Sequence, residues 1–367
     1  MKTVLVYSPF MGHTGSEIAI RNLIVHAQNI RYVLLSGWPG ALSSAMPPQV
    51  PVFVWEEDIW ENRWNRVLKR AGQKTLSERR FWSILRRYKP DLVLVNTIVI
   101  TKVMPVLKAS RIPFVVYVHE LPPSYALVGA EGMEYMLAEA QAFIACSKGV
   151  ADSLKRATTK PVYIFYETID VQDIEEESIE ANRIRSDFQS FDRIFVMSGT
   201  PSPRKGLHLI IDIAYFLRSR NAALIWVGGR PWPTGLDVYV ASVQKQENLH
   251  NLFLVGEQRG SMYYSYLSIA DAFLLTSIED PYPLVMLEAA YLRKPIIAFA
   301  SGGVVEFVKE GMGRVVPLID MPAYLQAISD FMDGKMPIDN DLLHNEAKKH
   351  NTRLRVHEFE KLLLSLM

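Results

Sequence analysis

Four short segments carry residue types whose spacing suits chemistry on a charged ligand. The first, Gly199-Thr200-Pro201-Ser202-Pro203-Arg204-Lys205-Gly206, follows an apolar run ending at Met197 and leads into a helical stretch, Leu207 to Leu217. A helix start offers unpaired backbone N–H groups and a partial positive charge. Lys205 adds a compact point charge and Arg204 a forked donor, which suits a phosphate or diphosphate. The plainer alternative is a Pro-rich connection with two solvated cations. The second segment is Asp280-Pro281-Tyr282-Pro283-Leu284-Val285-Met286-Leu287-Glu288. Pro283 fits a first helical position, where no N–H is needed. That leaves the amides of Leu284 and Val285 open to an anion, with Glu288 one turn further on and able to point back. Read singly, Asp280 is a cap-region acid and Glu288 a solvated residue. The third, Ala300-Ser301-Gly302-Gly303-Val304-Val305-Glu306, has two glycines that allow close backbone approach to a ligand or simply a tight turn. The fourth is His119-Glu120 at the end of Phe114–Val118; a lone strand-end histidine serves either chemistry or a structural hydrogen bond.

Several common signatures are missing. Gly12-His13-Thr14-Gly15-Ser16-Glu17 ends like a dinucleotide fingerprint but lacks the Gly-x-Gly start. Lys205 is followed by Gly206, so no Walker-type loop is present, and no Gly-x-Ser-x-Gly elbow occurs. His119-Glu120 runs into Leu121-Pro122-Pro123, so there is no zincin pair. Asp339-Asn340-Asp341 offers oxygens to a divalent cation, but a turn or helix-cap role is the simpler expectation.

Elements that place these loops alternate along the chain. Apolar runs read as buried strands at Val4–Tyr7, Tyr32–Leu35, Val52–Trp55, Leu92–Val95, Phe114–Val118 and Ala142–Ala145. A second set reads at Ile194–Met197, Leu224–Val227, Leu252–Val255, Ala272–Leu275, Pro295–Phe299 and Val315–Pro317. Runs apolar on both faces fit parallel strands covered by helices on either side. Two successive sets imply an α/β protein of two doubly wound domains, whose ligands bind beyond the carboxyl ends of the strands. The expected boundaries are an N-terminal Rossmann-like domain over 1–168, a connection over 169–190 containing Glu175-Glu176-Glu177, a C-terminal Rossmann-like domain over 191–344, and a closing helix over 345–367 that packs back on the N-terminal domain.

Composition narrows the partners. The chain has 367 residues, 49% hydrophobic and 22% charged, which excludes disorder. Its single cysteine, Cys146, fits a reducing cytosol. The N-terminal apolar run is too short for a signal peptide, and Leu92 to Ile100 is about half a spanning helix. The formal net charge of +1 hides an asymmetry: residues 1–168 carry 20 basic against 13 acidic side chains, the remainder 20 against 26. Ten of those basic residues, Arg63, Arg66, Lys69 and Arg70 among them, lie between Trp60 and Lys89 against two acids, interleaved with Trp64, Phe81, Trp82 and Tyr88. Such a stretch lies on an anionic membrane, binds a phosphorylated or acidic partner, or is a solvated basic helix pair.

Taken in order, the loops resemble those of retaining, nucleotide-sugar-dependent glycosyltransferases of family 4, with the GT-B fold of two facing Rossmann-like domains. The resemblance covers most of the chain and is strongest from Ser198 to Glu306. Asp280 to Glu288, Lys294-Pro295 and Gly302-Gly303 are similar to the family's E-x7-E, G-K-P and G-G-x-x-E segments. It implies that Lys205 holds the donor diphosphate with Arg204 assisting, Glu288 the ribose and Asp280 a sugar hydroxyl. The Leu284 and Val285 amides would cover phosphate, and Gly256-Glu257 would lie near the base, with Tyr282 and Gly303 also donor-binding. Gly15 would lie beneath the phosphates and His119 beside the donor sugar. Two departures stand out: the first acid is Asp280, with Glu279 beside it, and Thr200 stands where many members have a phosphate-binding arginine. The implied protein is a cytoplasmic hexosyltransferase of polysaccharide or glycolipid biosynthesis, acting on a glycan, lipid-linked or other hydroxyl acceptor. It would use no metal or cofactor and bind no nucleic acid, and peripheral contact with an anionic membrane on its inner face is left open. Rival readings are a nucleotide-sugar epimerase or hydrolase of the same fold, and a non-catalytic nucleotide-sugar-binding subunit.

Overall fold

A computed structural model describes residues 1–55, 59–99, 103–126, 128–174, 179–229 and 235–367, with backbone alone at 59–62 and 179. The chain divides into two compact units, residues 1–168 with 352–367, and residues 169–351. Each is a parallel sheet flanked by helices.

In the first unit the strands are β1 (Lys2–Ser8), β2 (Ile30–Ser36), β3 (Val52–Val54), β4 (Leu92–Val95), β5 (Phe114–Val118), β6 (Ala142–Ala145) and β7 (Val162–Ile164). They lie in the order β3-β2-β1-β4-β5-β6-β7, all parallel. The second unit has β8 (Arg193–Ser198), β9 (Ala222–Val227), β10 (Leu252–Leu254), β11 (Ala272–Leu275), β12 (Ile296–Phe299) and β13 (Gly313–Val316). Their order is β10-β9-β8-β11-β12-β13, again all parallel. Both sheets reverse winding once, between β1 and β4 and between β8 and β11. At such a switch point neighbouring loops diverge and leave a crevice at the carboxyl ends.

Burial explains why these runs became central strands. Val4 to Tyr7, Leu92 to Val95 and Val115 to Val118 are buried on both faces. In the second unit Phe195, Met197, Leu224, Trp226, Leu274, Ile297 and Phe299 pack against Ile210, Ile213, Leu217, Tyr324 and Ile328. Full burial of one such side chain stabilises by roughly 1.5–3 kcal/mol. Tyr324 satisfies its hydroxyl by donating to the Ile297 carbonyl at 2.9 Å.

The structure departs from the sequence expectation at several places. β7 was not anticipated, because it is three residues long at a sheet edge and exposes Tyr163 and Ile164. Residues 169–190 are not a bare connection but part of the second unit. They include the helix Ile179–Asp187, and Ala181, Ile184 and Phe188 are buried, with the Phe188 ring 4.8 Å from that of Phe253. Glu175-Glu176-Glu177 lie outside the described residues. β13 begins two residues earlier than expected. Pro283 sits at the cap, one position before the helix Leu284–Tyr291. The tail is two helices, Asn340–Lys348 and Thr352–Ser365, of which only the latter belongs to the first unit. Glu360, fully buried, fastens it there: its carboxylate accepts from the backbone N–H groups of Gln28, Asn29 and Ile30 at 2.9–3.1 Å. Asp339 is a cap, accepting from the Leu342 N–H at 2.8 Å.

The basic stretch folds as two helices, Ile59–Arg70 and Leu76–Tyr88. Thr75 and Glu78 form a reciprocal capping box at the start of the second. Phe81, Ile84 and Leu85 turn inward, with Phe81 edge-on to Trp55 at 5.5 Å. Arg63, Arg66, Lys69 and Arg70 are exposed, beside Trp64 at 60% exposure.

Candidate functional site

The loops beyond β8 and β11 meet in the second unit because those strands are neighbours. Lys205, in the turn after β8, places its Nζ 2.5 Å from Asp280 Oδ2, in the turn after β11. Both side chains are largely buried, at 15% and 7% exposure. Ser277 Oγ donates to the same carboxylate oxygen at 3.0 Å. Around the pair the backbone is cross-tied. Ile278 N–H donates to the Arg204 carbonyl at 2.8 Å, Arg204 Nη1 to the Glu279 carbonyl at 2.9 Å, and Thr276 Oγ1 to the Lys205 carbonyl at 3.0 Å. Gly206, at φ 75°, ends the Lys205 turn where a Cβ would lie 2.3 Å from the Thr276 carbonyl.

Three further strand ends flank these turns. After β12, Gly302 has φ 51°, and a Cβ there would stand 1.9 Å from the Asp280 carbonyl oxygen. Gly303 N–H donates to the Pro281 carbonyl at 2.8 Å, and a Cβ on Gly303 would strike the Tyr282 ring. Tyr282 is buried, with its hydroxyl 3.3 Å from His350 Nε2. After β9 and β10, Gly228 N–H donates to the Gly256 carbonyl at 2.8 Å, and Gly256 has φ 72°. Glu257 is exposed and ion-paired with Arg259 at 2.8 Å.

The helix Leu284–Tyr291 begins beside Asp280. Its first N–H groups have no acceptor within the helix, and Leu284 and Val285 carry two of them. One turn on, buried Glu288 accepts from the Tyr263 hydroxyl at 2.8 Å, and Tyr263 also lies 3.5 Å from Ser198 Oγ at the end of β8. Burial raises the Glu288 carboxyl to about 7, with hydrogen bonds from Tyr263 and Tyr264 pulling the other way.

A second cluster lies at the strand ends of the first unit. It draws on the loops after β1 (Glu17), β4 (Asn96, Thr97), β5 (His119, Glu120), β6 (Cys146) and β7 (Glu167). His119 Nδ1 lies 2.5 Å from Glu167 Oε1, and its Nε2 lies 2.9 Å from Asn96 Oδ1. Glu120 accepts from Thr97 Oγ1 and from the N–H groups of His119 and Ile98 at 3.0 and 3.3 Å. Gly15 opens the helix Gly15–Val25, capped by Thr14, whose hydroxyl meets the Glu17 carboxylate. Burial raises the Glu17 and Glu120 carboxyls. For His119 burial opposes the charge, and the Glu167 carboxylate outweighs it, so the ring's pKa is raised. A ring nitrogen of His119, Cys146 Sγ and a Glu167 oxygen lie within 4.8 Å of one another, a set that zinc accepts. Two ligands of one tetrahedral zinc stand roughly 3.3 Å apart, whereas His119 and Glu167 are closed to 2.5 Å by their own hydrogen bond.

Of the residues expected from sequence, Lys205, Arg204, Asp280, Tyr282, Leu284, Val285, Glu288, Gly256, Glu257 and Gly303 belong to the second unit. Gly15, His119 and the basic helix belong to the first. Sequence reasoning missed Ser277, Tyr263, Glu17, Asn96 and Glu167. Glu17 left a trace as the last residue of the Gly12-to-Glu17 segment, and Asn96-Thr97 as a polar pair inside the apolar run Leu92 to Ile100.

Both halves of the chain match glycosyltransferase models: residues 24–173 the one described as Glycosyltransferase Family 4, and residues 178–350 the one described as Glycosyl transferases group 1. Both halves are thus glycosyltransferase domains, and together they build the GT-B fold. No curated protein matches this glycosyltransferase in sequence. Among solved structures it is similar to HepE of Anabaena in complex with UDP and glucose, at 17% identity, TM-score 0.81 and full coverage of both chains. It is also similar to sucrose-phosphate synthase of Thermosynechococcus elongatus, at 16% identity, TM-score 0.78 and full coverage of both. A third is starch synthase IV of Arabidopsis thaliana bound to ADP and acarbose, at 11% identity and TM-score 0.73, covering 100% of this chain and 99% of that one. These likenesses show the fold. Among the described residues no helix is long and apolar enough to cross a membrane.

Proposed function

We propose that this glycosyltransferase is a retaining, metal-independent hexosyltransferase. It moves a sugar from a nucleotide diphosphate-sugar to a hydroxyl of a glycan or lipid-linked acceptor. The observation that carries the reading is the Lys205–Asp280 pair at the β8/β11 switch point, beside the start of Leu284–Tyr291. A diphosphate competes with Asp280 for the Lys205 ammonium, and the amides of Leu284 and Val285 add unpaired donors. Asp280, still held by Ser277, is then free to accept a sugar hydroxyl. Glu288 exchanges the Tyr263 hydroxyl for those of the ribose. As the bond to the sugar breaks, negative charge grows on the departing diphosphate, where Lys205 and the helix start stabilise it. Arg204, tied to the Glu279 carbonyl, supports the turn and adds long-range charge. Among relatives of the same fold, HepE is described with UDP-glucose, which favours uridine diphosphate sugars as the first donors to try.

The test is product analysis over a panel of nucleotide sugars and acceptors, with and without chelator. A glycosylated acceptor of retained anomeric configuration, insensitive to chelator and lost in Lys205→Ala, is expected. Free sugar or an epimerised donor as the sole product would replace the assignment with a hydrolase or epimerase. The acceptor is assigned to the first unit, whose exposed Arg63, Arg66, Lys69 and Arg70 fit an anionic bilayer bearing a lipid-linked acceptor. Replacing all four by Gln is expected to weaken binding to phosphatidylserine vesicles; unchanged binding removes the membrane from the proposal.

A further inference from the structure

The cluster at the strand ends of the first unit decides the protonation of His119 by its hydrogen-bond geometry. Asn96 Nδ2 donates to the Ser16 carbonyl at 3.1 Å, which orients the amide so that Oδ1 faces His119 Nε2 at 2.9 Å. An amide oxygen accepts and cannot donate, so that ring nitrogen must carry a proton. On the opposite edge, Nδ1 lies 2.5 Å from Glu167 Oε1. A carboxylate likewise accepts, so this nitrogen is protonated too. Two acceptors on the two nitrogens of one ring describe an imidazolium, because a neutral ring must turn a bare nitrogen towards one of them.

The remaining surroundings agree. Glu120, with its carboxylate anchored on the N–H groups of Ile98 and His119, and Glu17 from the helix Gly15–Val25 both favour the positive ring. Tyr117 packs against it with ring centroids 4.0 Å apart, and the Cys146 thiol completes the surroundings. Arg355 of the C-terminal helix acts electrostatically on Tyr117. The His119 side chain is only 6% exposed, so its charge is held by protein and not by water.

We infer that Glu167 and Asn96 are positioning residues that clamp His119 as a fixed imidazolium, so that this histidine serves transfer by its charge and not by proton transfer. The inference rests on the transferase reading above for its consequence, and on the two hydrogen bonds alone for the protonation state. With both N–H groups engaged, the ring has no bare nitrogen to act as a base. The carboxylate of Glu167 does for the ring what a counter-ion does for a buried lysine: it keeps the charge where burial alone would remove it.

Histidine-selective 15N NMR on the full-length protein tests the state directly, with the His119 signal identified by its loss in His119→Gln. At pH about 7.5, a unit above the ordinary histidine value, both ring nitrogens of His119 are expected to be protonated. In Glu167→Gln the titration midpoint should fall by at least about one unit, a tenfold change in proton affinity. Transfer is then followed against pH. In the wild type kcat stays level through the ordinary histidine range. In Glu167→Gln it falls roughly tenfold per unit above the lowered midpoint, while KM for the donor changes little. Asn96→Asp, which keeps the acceptor and adds charge, should hold the ring protonated to still higher pH. A bare nitrogen on His119 in the wild type at neutral pH overturns the clamp, as does an unmoved midpoint in Glu167→Gln. Parallel pH profiles for wild type and Glu167→Gln overturn its role in turnover. If wild-type protein transfers no sugar from any donor, the transferase reading fails and the NMR titration alone decides the clamp.

Discussion

The strand ends of the two sheets share a topology but use their carboxylates in opposite ways. In the first unit Glu360 is held by three consecutive backbone N–H groups, and Glu120 by those of Ile98 and His119 beside the Thr97 hydroxyl. Backbone donors cannot swing away without unfolding the element that carries them. In the second unit the two acids at the switch point are held by side chains: Asp280 by Lys205 and Ser277, Glu288 by Tyr263. Those partners have rotamers to move into, so their acids can be exchanged for the hydroxyls of a ligand. Net charge misleads about both. Residues 1–168 carry an excess of basic side chains yet concentrate acids around one histidine, while the remainder is acidic yet sets Lys205 and a helix start at its switch point.

That contrast breaks most sharply at Lys205. Replacing Lys205 with Ala should lower kcat/KM by about 10²–10³, the scale of one lost transition-state donor, while circular dichroism still reports a folded chain. A loss under tenfold would place the charge stabilisation elsewhere. The structural acid should behave in the reverse manner. Glu360→Ala strands three N–H groups, that of Ile30 buried, and should cost about 3 kcal/mol in denaturant unfolding, with kcat of the folded fraction preserved; an unchanged midpoint would show that the tail is not fastened there.

The exchangeable acid should also show in pH. Glu288 is raised to about 7 by burial, and its ionised form is the acceptor for ribose hydroxyls. KM for the donor should therefore rise as pH falls through about 7, by up to tenfold per unit, and Glu288→Gln should flatten the profile. Removing the Tyr263 hydroxyl as Tyr263→Phe should move the break upward, because that hydrogen bond favours the carboxylate. For stability the sign is opposite to that of an ordinary paired acid. The folded pKa exceeds the unfolded one, so the Glu288 contribution is fully present below the ordinary carboxyl range and is lost as pH rises through about 7. The smallest effect is backbone strain. Gly302→Ala combines φ 51° with a Cβ 1.9 Å from the Asp280 carbonyl, and should cost more than ~1 kcal/mol while displacing Asp280. A neutral substitution would mean the turn after β12 does not brace the pair.

Much of this was legible in the residues. Two sets of short, doubly apolar runs separated by Gly- and Pro-containing loops place parallel strands, and twelve of the strand positions follow from them; β7 escaped because an exposed edge of three residues has no such pattern. The helix Ile179–Asp187 escaped because polar and charged residues dominate its sequence, and among its described side chains only Ala181 and Ile184, with the following Phe188, are buried. Lys205 and Asp280 stood out because each lies in a loop between strand and helix, and Glu288 because it follows one turn into the helix after such a loop. Their partners did not: Tyr263 is one aromatic residue in a helix, and Glu167 one acid after a short strand.

The local chemistry of this protein therefore lies in its sequence: which runs are buried, which turns need glycine, which helix starts lack donors' partners. Pairing lies in the tertiary structure. Lys205 and Asp280 are separated by 75 positions and meet because β8 and β11 are neighbours across the switch point. His119 is charged because β4 and β7, on either side of β5 and β6, bring it Asn96 and Glu167. An acid's partner, and hence whether it braces the fold or waits for a ligand, depends on distances of a few ångströms between loops, and strand order alone sets those.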